Sequence, residues 1–507
     1  MPKYYNQFLE NAMHGLSFDI LTMLHNLAGF FLPDLAQPLV FSSGLFWVMF
    51  IIFLPVYATL RYRRTQLLLF VVAFSLFFFF KSSGWYFLLM VATAWIDWRL
   101  AQFIAHSDNA LHRKWALLAS LAGSLGVLVA FKYTNFFMQT WSALVRGNFQ
   151  PWDIVAPIGL SFYTFRTVSY VVDVYCQRME PTRSYLKYLF FLSFFPCLIA
   201  GPIVRARDFL PQVKPHIHVS EEQIYGGFLR VMVGVVKKAV VADYLAQYTS
   251  IVFGNPVGYS GFEQLMATLG FTMQLYCDFS GYSDMAIGIG SIMGFNLGEN
   301  FNFPYRSRNI TEFWRRWHIS LSFWLRDYIY IPLGGNRKGR ARQLCFLMVT
   351  MLLGGLWHGA AMSFVAWGGL HGAALCVHKM CQPRLKRIPD TLPVVLLSWM
   401  LTFAVVSLLW IFFAASSFND AWVMIAGIFT NFDLAYFAPF VKARYVWCIM
   451  IVLVSLAHFV PRDVYRVGKQ WFVGSHWIFK LAMFIIVVQL VIDFSSAEVK
   501  PFIYAQF

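Results

Sequence analysis

Apolar runs punctuated by short basic clusters dominate this chain. Runs near 40–60, 66–82, 84–100, 115–136, 185–204, 228–253, 261–277, 343–361, 363–379, 393–414, 445–460 and 475–494 approach the about 20 residues that a helix needs to cross a bilayer. Each therefore predicts a spanning, tilted or re-entrant helix. The clusters Arg61–Arg64, Arg337–Arg342, Arg384–Arg387 and Arg462–Lys469 lie between these runs, and an excess of Lys and Arg marks cytoplasmic loops. That rule sets the amino terminus outside the cytoplasm and delivers Ser495–Phe507 to the outer side after the last span. Ahead of the first span, Leu9, Met13, Leu16, Ile20, Leu24, Leu27 and Phe31 recur at helical spacing, with Glu10, His14 and Asp19 off the stripe. The pattern predicts a helix lying on the membrane surface and stopping near Pro33, rather than a cleavable leader.

The expected organisation is an amphipathic segment over 1–39, one integral-membrane domain over 40–494 and an extracytoplasmic tail over 495–507. Composition agrees, with 59% of residues hydrophobic and 13% charged, where soluble domains carry roughly 25% charged residues. The formal net charge of +16 sits beside apolar spans, so it suits anionic lipid headgroups rather than nucleic acid. The seven cysteines are scattered without a C-x-x-C pair and read as small hydrophobes rather than disulfides or zinc ligands. Irregular backbone is expected around Pro157–Gly159, Gly201–Pro202, Asp278–Asp284 and Leu333–Asn336. At membrane depth such segments persist only where protein or water satisfies them, which predicts a water-accessible funnel.

Two histidines carry the candidate chemistry. His358 lies among Gly354, Gly355, Gly359 and Trp357 within an apolar run. An ionisable group at membrane depth is a functional candidate by default, and a neutral imidazole there can take a proton from a hydroxyl. Forty residues earlier (358 − 318), His318 sits in a segment over 311–330 where Phe313, Trp314, Trp317, Leu321, Trp324 and Leu325 form an apolar stripe. Arg315, His318 and Ser322 fall on an adjacent face, so an interfacial helix can turn cations toward a phosphorylated ligand. The alternative for Arg315 and Arg316 is snorkelling to lipid phosphates. His371 and His378 read as packing histidines. Asp278 and Asp284 read as a hydrogen-bonded turn fixing a broken helix. No phosphate-cradling glycine loop, Ser-x-Gly elbow or metal-ligand spacing occurs.

Blocks of the sequence resemble the bacterial branch of the membrane-bound O-acyltransferase family: Val40–Ser43, Pro157–Phe165, Phe195–Ile203, Gln274–Ala286, Phe313–Leu321 and Gly354–Ala360. That branch includes alginate and peptidoglycan O-acetyltransferases and the D-alanyl transferases of teichoic acids. The resemblance implies an all-α polytopic membrane protein, a ring of about 10–12 transmembrane helices around a central funnel, with re-entrant and interfacial helices. It implies that an acyl group from a cytoplasmic thioester reaches an outer acceptor, with His358 as the signature histidine and His318 as its partner. No metal or bound cofactor is required. In this reading His358 deprotonates the attacking hydroxyl. His318 positions the thioester or stabilises developing charge, while Arg315, Arg316, Arg326, Trp314 and Trp317 hold the donor. The terminal Pro501–Phe507 also resembles the Phe-x-Tyr end of the small membrane protein that accompanies D-alanyl transferases, making Tyr504 a candidate acyl shuttle. An aromatic tail anchored in the interface is the alternative.

The expected function is therefore transfer of an acyl group, foremost acetyl from acetyl-coenzyme A, for O-acetylation of an exported polysaccharide or peptidoglycan from a bacterial cytoplasmic (inner) membrane. A periplasmic SGNH-type acetyltransferase is a candidate partner. D-alanyl transfer from a carrier-protein thioester is the nearest alternative. A lipid-linked sugar transporter is the third, disfavoured because no inverted repeat is visible.

Overall fold

Lipid cannot satisfy backbone N–H and C=O groups, so long apolar runs fold as helices that bond internally. In the computed structural model, which describes residues 32–33, 38–385 and 387–494, helices form nearly all regular backbone and no strand occurs among those residues. The order is α1 (Gly44–Leu60), α2 (Arg64–Ser83), α3 (Phe87–His106), α4 (Ala110–Leu128), α5 (Thr134–Leu144), α6 (Leu160–Tyr175), α7 (Tyr185–Ser193), α8 (Glu221–Val235), α9 (Asp243–Gly254) and α10 (Gly261–Ile292). It continues with α11 (Ile310–Arg316), α12 (Ile319–Leu325), α13 (Arg340–His358), α14 (Met362–Leu385), α15 (Leu392–Ala414), α16 (Phe418–Thr430), α17 (Phe437–Ala443), α18 (Tyr445–Phe459), α19 (Arg462–Gly474) and α20 (Trp477–Phe494). Three π-helical stretches interrupt it, at Val129–Tyr133, Val236–Ala242 and Arg326–Tyr330. Such turns recur at functional sites.

Among the described residues, four helical stretches are long and apolar enough to cross a membrane: Arg64–His106, Ala110–Leu144, Leu392–Ala414 and Trp477–Phe494. Two bent pairs add to them, Phe418–Thr430 with Leu434–Ala443 at 96° and Tyr445–Phe459 with Arg462–Gly474 at 95°. Apolar side chains face outward on two of these stretches and on the shorter apolar α1: Leu397 and Leu401 of α15, Ile485 and Ile486 of α20, and Ile51 and Ile52 of α1 are exposed. Polar groups go inward instead, His318, Asn300 and His371 being fully buried. This is a multi-pass all-α membrane protein.

Three sequence expectations change. The run 185–204 holds only the nine-residue α7 before irregular backbone takes over, a 3-10 turn at Phe195–Cys197 containing Pro196. The segment 278–284 is uninterrupted helix inside α10, whose start is fixed by a capping box between Ser260 and Glu263. Its carboxylates are met by cations on the π-helical stretch after α8: Lys238 pairs with Asp278 at 2.7 Å and Lys237 with Asp284 at 2.7 Å. With those charges compensated, the helix has no need to break. Residues 462–469 form a helix rather than a loop, and α19 runs nearly perpendicular to α18. The expected helix over 1–39 and the tail at 495–507 lie outside the described residues, apart from the few positions at 32–33 and 38–39.

Candidate active site

His358 is the last residue of α13, and the position of that helix is set by a glycine crossing with α14. The Cα atom of Gly368 lies where a Cβ on Gly355 would meet it at 3.0 Å, and the Phe364 carbonyl blocks the same space. No larger residue permits so close an approach. The imidazole of His358 is enclosed by Trp357, Trp367 and Phe413 at ring-centroid distances of 4.9, 5.1 and 5.3 Å.

The single helix expected over 311–330 is broken. Trp317 is extended and His318 takes φ 41° and ψ 57°, a left-handed conformation that costs a non-glycine residue of order 1–3 kcal/mol. Asn300 holds it there, since its carbonyl accepts the N–H of Ile319 at 2.8 Å. The Asn300 side-chain oxygen accepts the Ser320 hydroxyl at 2.8 Å and faces His318 Nδ1 at 3.0 Å. His318 Nε2 has no hydrogen-bond partner among the described residues. The break swings His318 into the core and separates it from Arg315, which stays exposed on α11.

Trp357 lies between the two histidines, 6.0 Å from the His318 ring and 4.9 Å from that of His358. Phe165 stacks on Trp357 at 5.3 Å and on Trp324 at 3.8 Å, continuing the aromatic layer. A pocket of about 60 Å³ opens at His358, walled by Lys132, Pro157, Gly159, Ser161 and Trp357. Gly159 (φ +87°) shapes its wall, because a Cβ there would strike the Leu198 carbonyl at 2.5 Å. A second cavity of about 1000 Å³ is lined by Asn300, Ser283, Asp284, Lys237, Arg230 and apolar residues of α18 and α20.

The other candidates divide. Arg316 pairs with Glu312 at 2.7 Å, while Arg326 pairs with Asp327 at 2.6 Å and lies over the Phe323 ring. Asp327 also pairs with Arg205 at 2.6 Å, and Asp173 pairs with Arg178 and Arg207 at 3.2 and 3.5 Å. Four arginines thus surround two carboxylates, leaving excess positive charge. Trp314 and Trp317 are core residues, packed on Trp367 and Trp410 at 5.7 and 4.9 Å. Tyr504 lies outside the described residues. Sequence reasoning missed Asn300, for which no signal existed, and Arg205 and Arg207, which follow the Gly201–Pro202 turn. It also missed Lys132, a lone cation in an apolar run and so a detectable one. No group of His, Cys, Asp and Glu able to hold a metal ion occurs among the described residues.

The profile of the membrane-bound O-acyltransferase family matches residues 112–393, a span that holds both histidines, Asn300 and the α13–α14 crossing. The chain belongs to the membrane-bound O-acyltransferase family. It is an acyltransferase. Its relatives sharpen this. The Probable alginate O-acetylase AlgI of Pseudomonas putida is 36% identical over 496 residues, covering 92% of this chain and 100% of the relative. The Peptidoglycan O-acetyltransferase of Helicobacter pylori is 37% identical over 346 residues, covering 63% of this chain and 65% of the relative. More distant is the Teichoic acid D-alanyltransferase of Bacillus subtilis, 26% identical over 310 residues, covering 58% and 78%. Tyr504 lies beyond the span that the family profile matches.

Proposed function

We propose that this enzyme takes an acetyl group from acetyl-coenzyme A on the cytoplasmic side of a bacterial cytoplasmic membrane and passes it outward for O-acetylation of an exported polysaccharide or peptidoglycan. The observation that carries the reading is that one histidine lines a cavity and the other is hydrogen-bonded to a residue that lines a second one. His358 lines the small pocket, and Asn300, which accepts from the fully buried His318, lines the large one.

The large cavity, with charged groups at one part and apolar walls along the rest, suits the extended thioester arm of the donor. Arg326, Arg205 and Arg207, which do not line this cavity, are proposed to meet the phosphates at the far end of the donor. His318, neutral and presenting the Nε2 lone pair, accepts a hydrogen bond from an amide N–H of that arm and so fixes the thioester. His358 takes the proton of the attacking hydroxyl. The oxygen adds to the acyl carbon, and collapse of the tetrahedral adduct expels the thiolate. The pocket of about 60 Å³ has room for several water-sized groups, at roughly 10–15 Å³ each, and so admits a group as small as acetyl. The Lys132 ammonium on the same wall disfavours the cationic D-alanyl group, since like charges repel.

Tyr504 is the first acceptor in this proposal. A phenol with a pKa near 10 becomes a nucleophile when His358 removes its proton. The acetyl ester then passes to the outer acceptor or to a periplasmic SGNH-type transferase. Intact-mass analysis of purified protein after incubation with acetyl-coenzyme A tests the proposal, the expected product being an acetyl ester at Tyr504. Transfer from a D-alanyl carrier protein but not from acetyl-coenzyme A would refute the donor assignment.

A further inference from the structure

Helix α13 ends at His358, and the last carbonyls of a helix lack partners within it. Here two consecutive residues of the π-helical stretch Val129–Tyr133 supply them. The Tyr133 hydroxyl donates to the Leu356 carbonyl at 2.9 Å, and Lys132 Nζ donates to the carbonyls of Trp357 and His358 at 2.8 and 3.0 Å. An ammonium carries three donors, so one remains beyond these two. Lys132 also lines the small pocket with His358, and among the described residues on that wall it is the single Lys or Arg.

The chemistry needs such a donor. When a hydroxyl oxygen adds to the thioester carbon, the carbonyl electron pair moves onto oxygen, the hydroxyl proton goes to His358, and negative charge waits on the oxyanion until the thiolate leaves. His318 cannot stabilise that charge while neutral. Its Nδ1 proton is committed to Asn300 Oδ1 and its Nε2 is an acceptor. We infer that Lys132 is a further catalytic residue, whose third N–H binds the oxyanion of the tetrahedral adduct formed beside His358. The inference rests on the acyl-transfer reading above. The ammonium is pre-aimed by its two carbonyl partners, so little reorganisation is needed as the charge develops.

Lys132→Gln keeps a donor for the helix carbonyls and removes the charge, while Lys132→Arg keeps both. The full-length protein in lipid nanodiscs is assayed with acetyl-coenzyme A and a soluble hydroxyl acceptor beside His358→Ala. Loss of an oxyanion donor lowers kcat by about 100-fold, so Lys132→Gln should show that loss with KM for acetyl-coenzyme A changed less than about twofold, and Lys132→Arg should recover most of the rate. Wild-type kcat in Lys132→Gln with an inactive His358→Ala overturns the inference and leaves the proposed function standing. An active His358→Ala overturns the reading beneath it. If Lys132→Gln is unfolded on gel filtration, Lys132→Cys alkylated with 2-bromoethylamine rebuilds an ammonium and iodoacetamide rebuilds only a neutral amide. Higher turnover with the ammonium supports the inference, and equal turnover overturns it.

Discussion

Asn300 decides which nitrogen of His318 carries the proton. The backbone N–H of Ser320 points at the Asn300 side-chain oxygen at 3.3 Å, and the amide nitrogen donates to Ser283 at 3.0 Å, so the amide has one consistent orientation. Its oxygen faces Nδ1 of His318, which must then be the donor. Asn300 and Ser283 also line the large cavity, so the group that sets the imidazole tautomer is part of the wall on which the proposed donor would lie.

Asn300→Leu removes this lock without adding charge. Its kcat should fall at least about tenfold, as for loss of a partner that orients a catalytic imidazole. Asn300→Asp still accepts from Nδ1 and should retain more activity than Leu. Equal rates for the two variants would mean that the tautomer does not matter.

His358→Ala should abolish acetyl transfer with unchanged extraction and gel-filtration behaviour, the loss of a general base alone being worth about 10²–10⁴-fold. His318→Ala should be severely impaired as well, with weakened donor binding. Normal donor binding and turnover in His318→Ala would make that residue structural.

Replacement of Arg326, Arg315 or Arg316 by Gln tests the donor face. Arg326 is exposed and paired with Asp327, but it stands in one group with Arg205 and Arg207, whereas Arg316 is paired singly with Glu312 and Arg315 is exposed with no ion pair among the described residues. Arg326→Gln should therefore raise KM for acetyl-coenzyme A most, with kcat nearly preserved. Equal KM values for all three variants and wild type would return them to lipid contacts.

Tyr504→Phe keeps the ring and removes only the oxygen. It should bind donor and fail to acetylate the outer acceptor, as read by acetyl content of the exported polymer. Normal acetylation in this variant, or cytoplasmic labelling of a cysteine placed at Ser496, refutes the shuttle.

Lys238 is 2% exposed and sits between Asp243 and Asp278, 2.7 Å from each. Lys238→Met leaves the buried Asp278 and the partly buried Asp243 without their shared cation and should destabilise the protein by about 3–5 kcal/mol. Thermal unfolding in detergent should show a marked fall in Tm, and an unchanged Tm would mean that the network is dispensable.

The helices with lipid-facing apolar surfaces were legible in the sequence because lipid imposes one rule along their whole length, so α15 and α20 fall within about two residues of the runs 393–414 and 475–494. Segments governed by tertiary partners were not. Asp278 and Asp284 looked like a break because their lysines lie some 40 residues earlier, brought opposite by the α8–α10 packing. The turn at Trp317–His318 was hidden because its cause, Asn300, lies outside the apolar stripe. His371 read as a packing histidine, and it is enclosed by Trp314, Trp367 and Trp410 at 5.1, 4.8 and 6.1 Å. Lys132 was readable as an intramembrane cation, but only the fold joined it to His358.

The backbone contact between Gly355 and Gly368 leaves α13 and α14 no side-chain layer on which to slide past each other. A carrier that alternately opens to either face must let such helices shear or rock. With these two backbones in direct contact, the proposed reaction asks for no such shear around His358: it is the acetyl group, handed from thioester to hydroxyl, that makes the journey across.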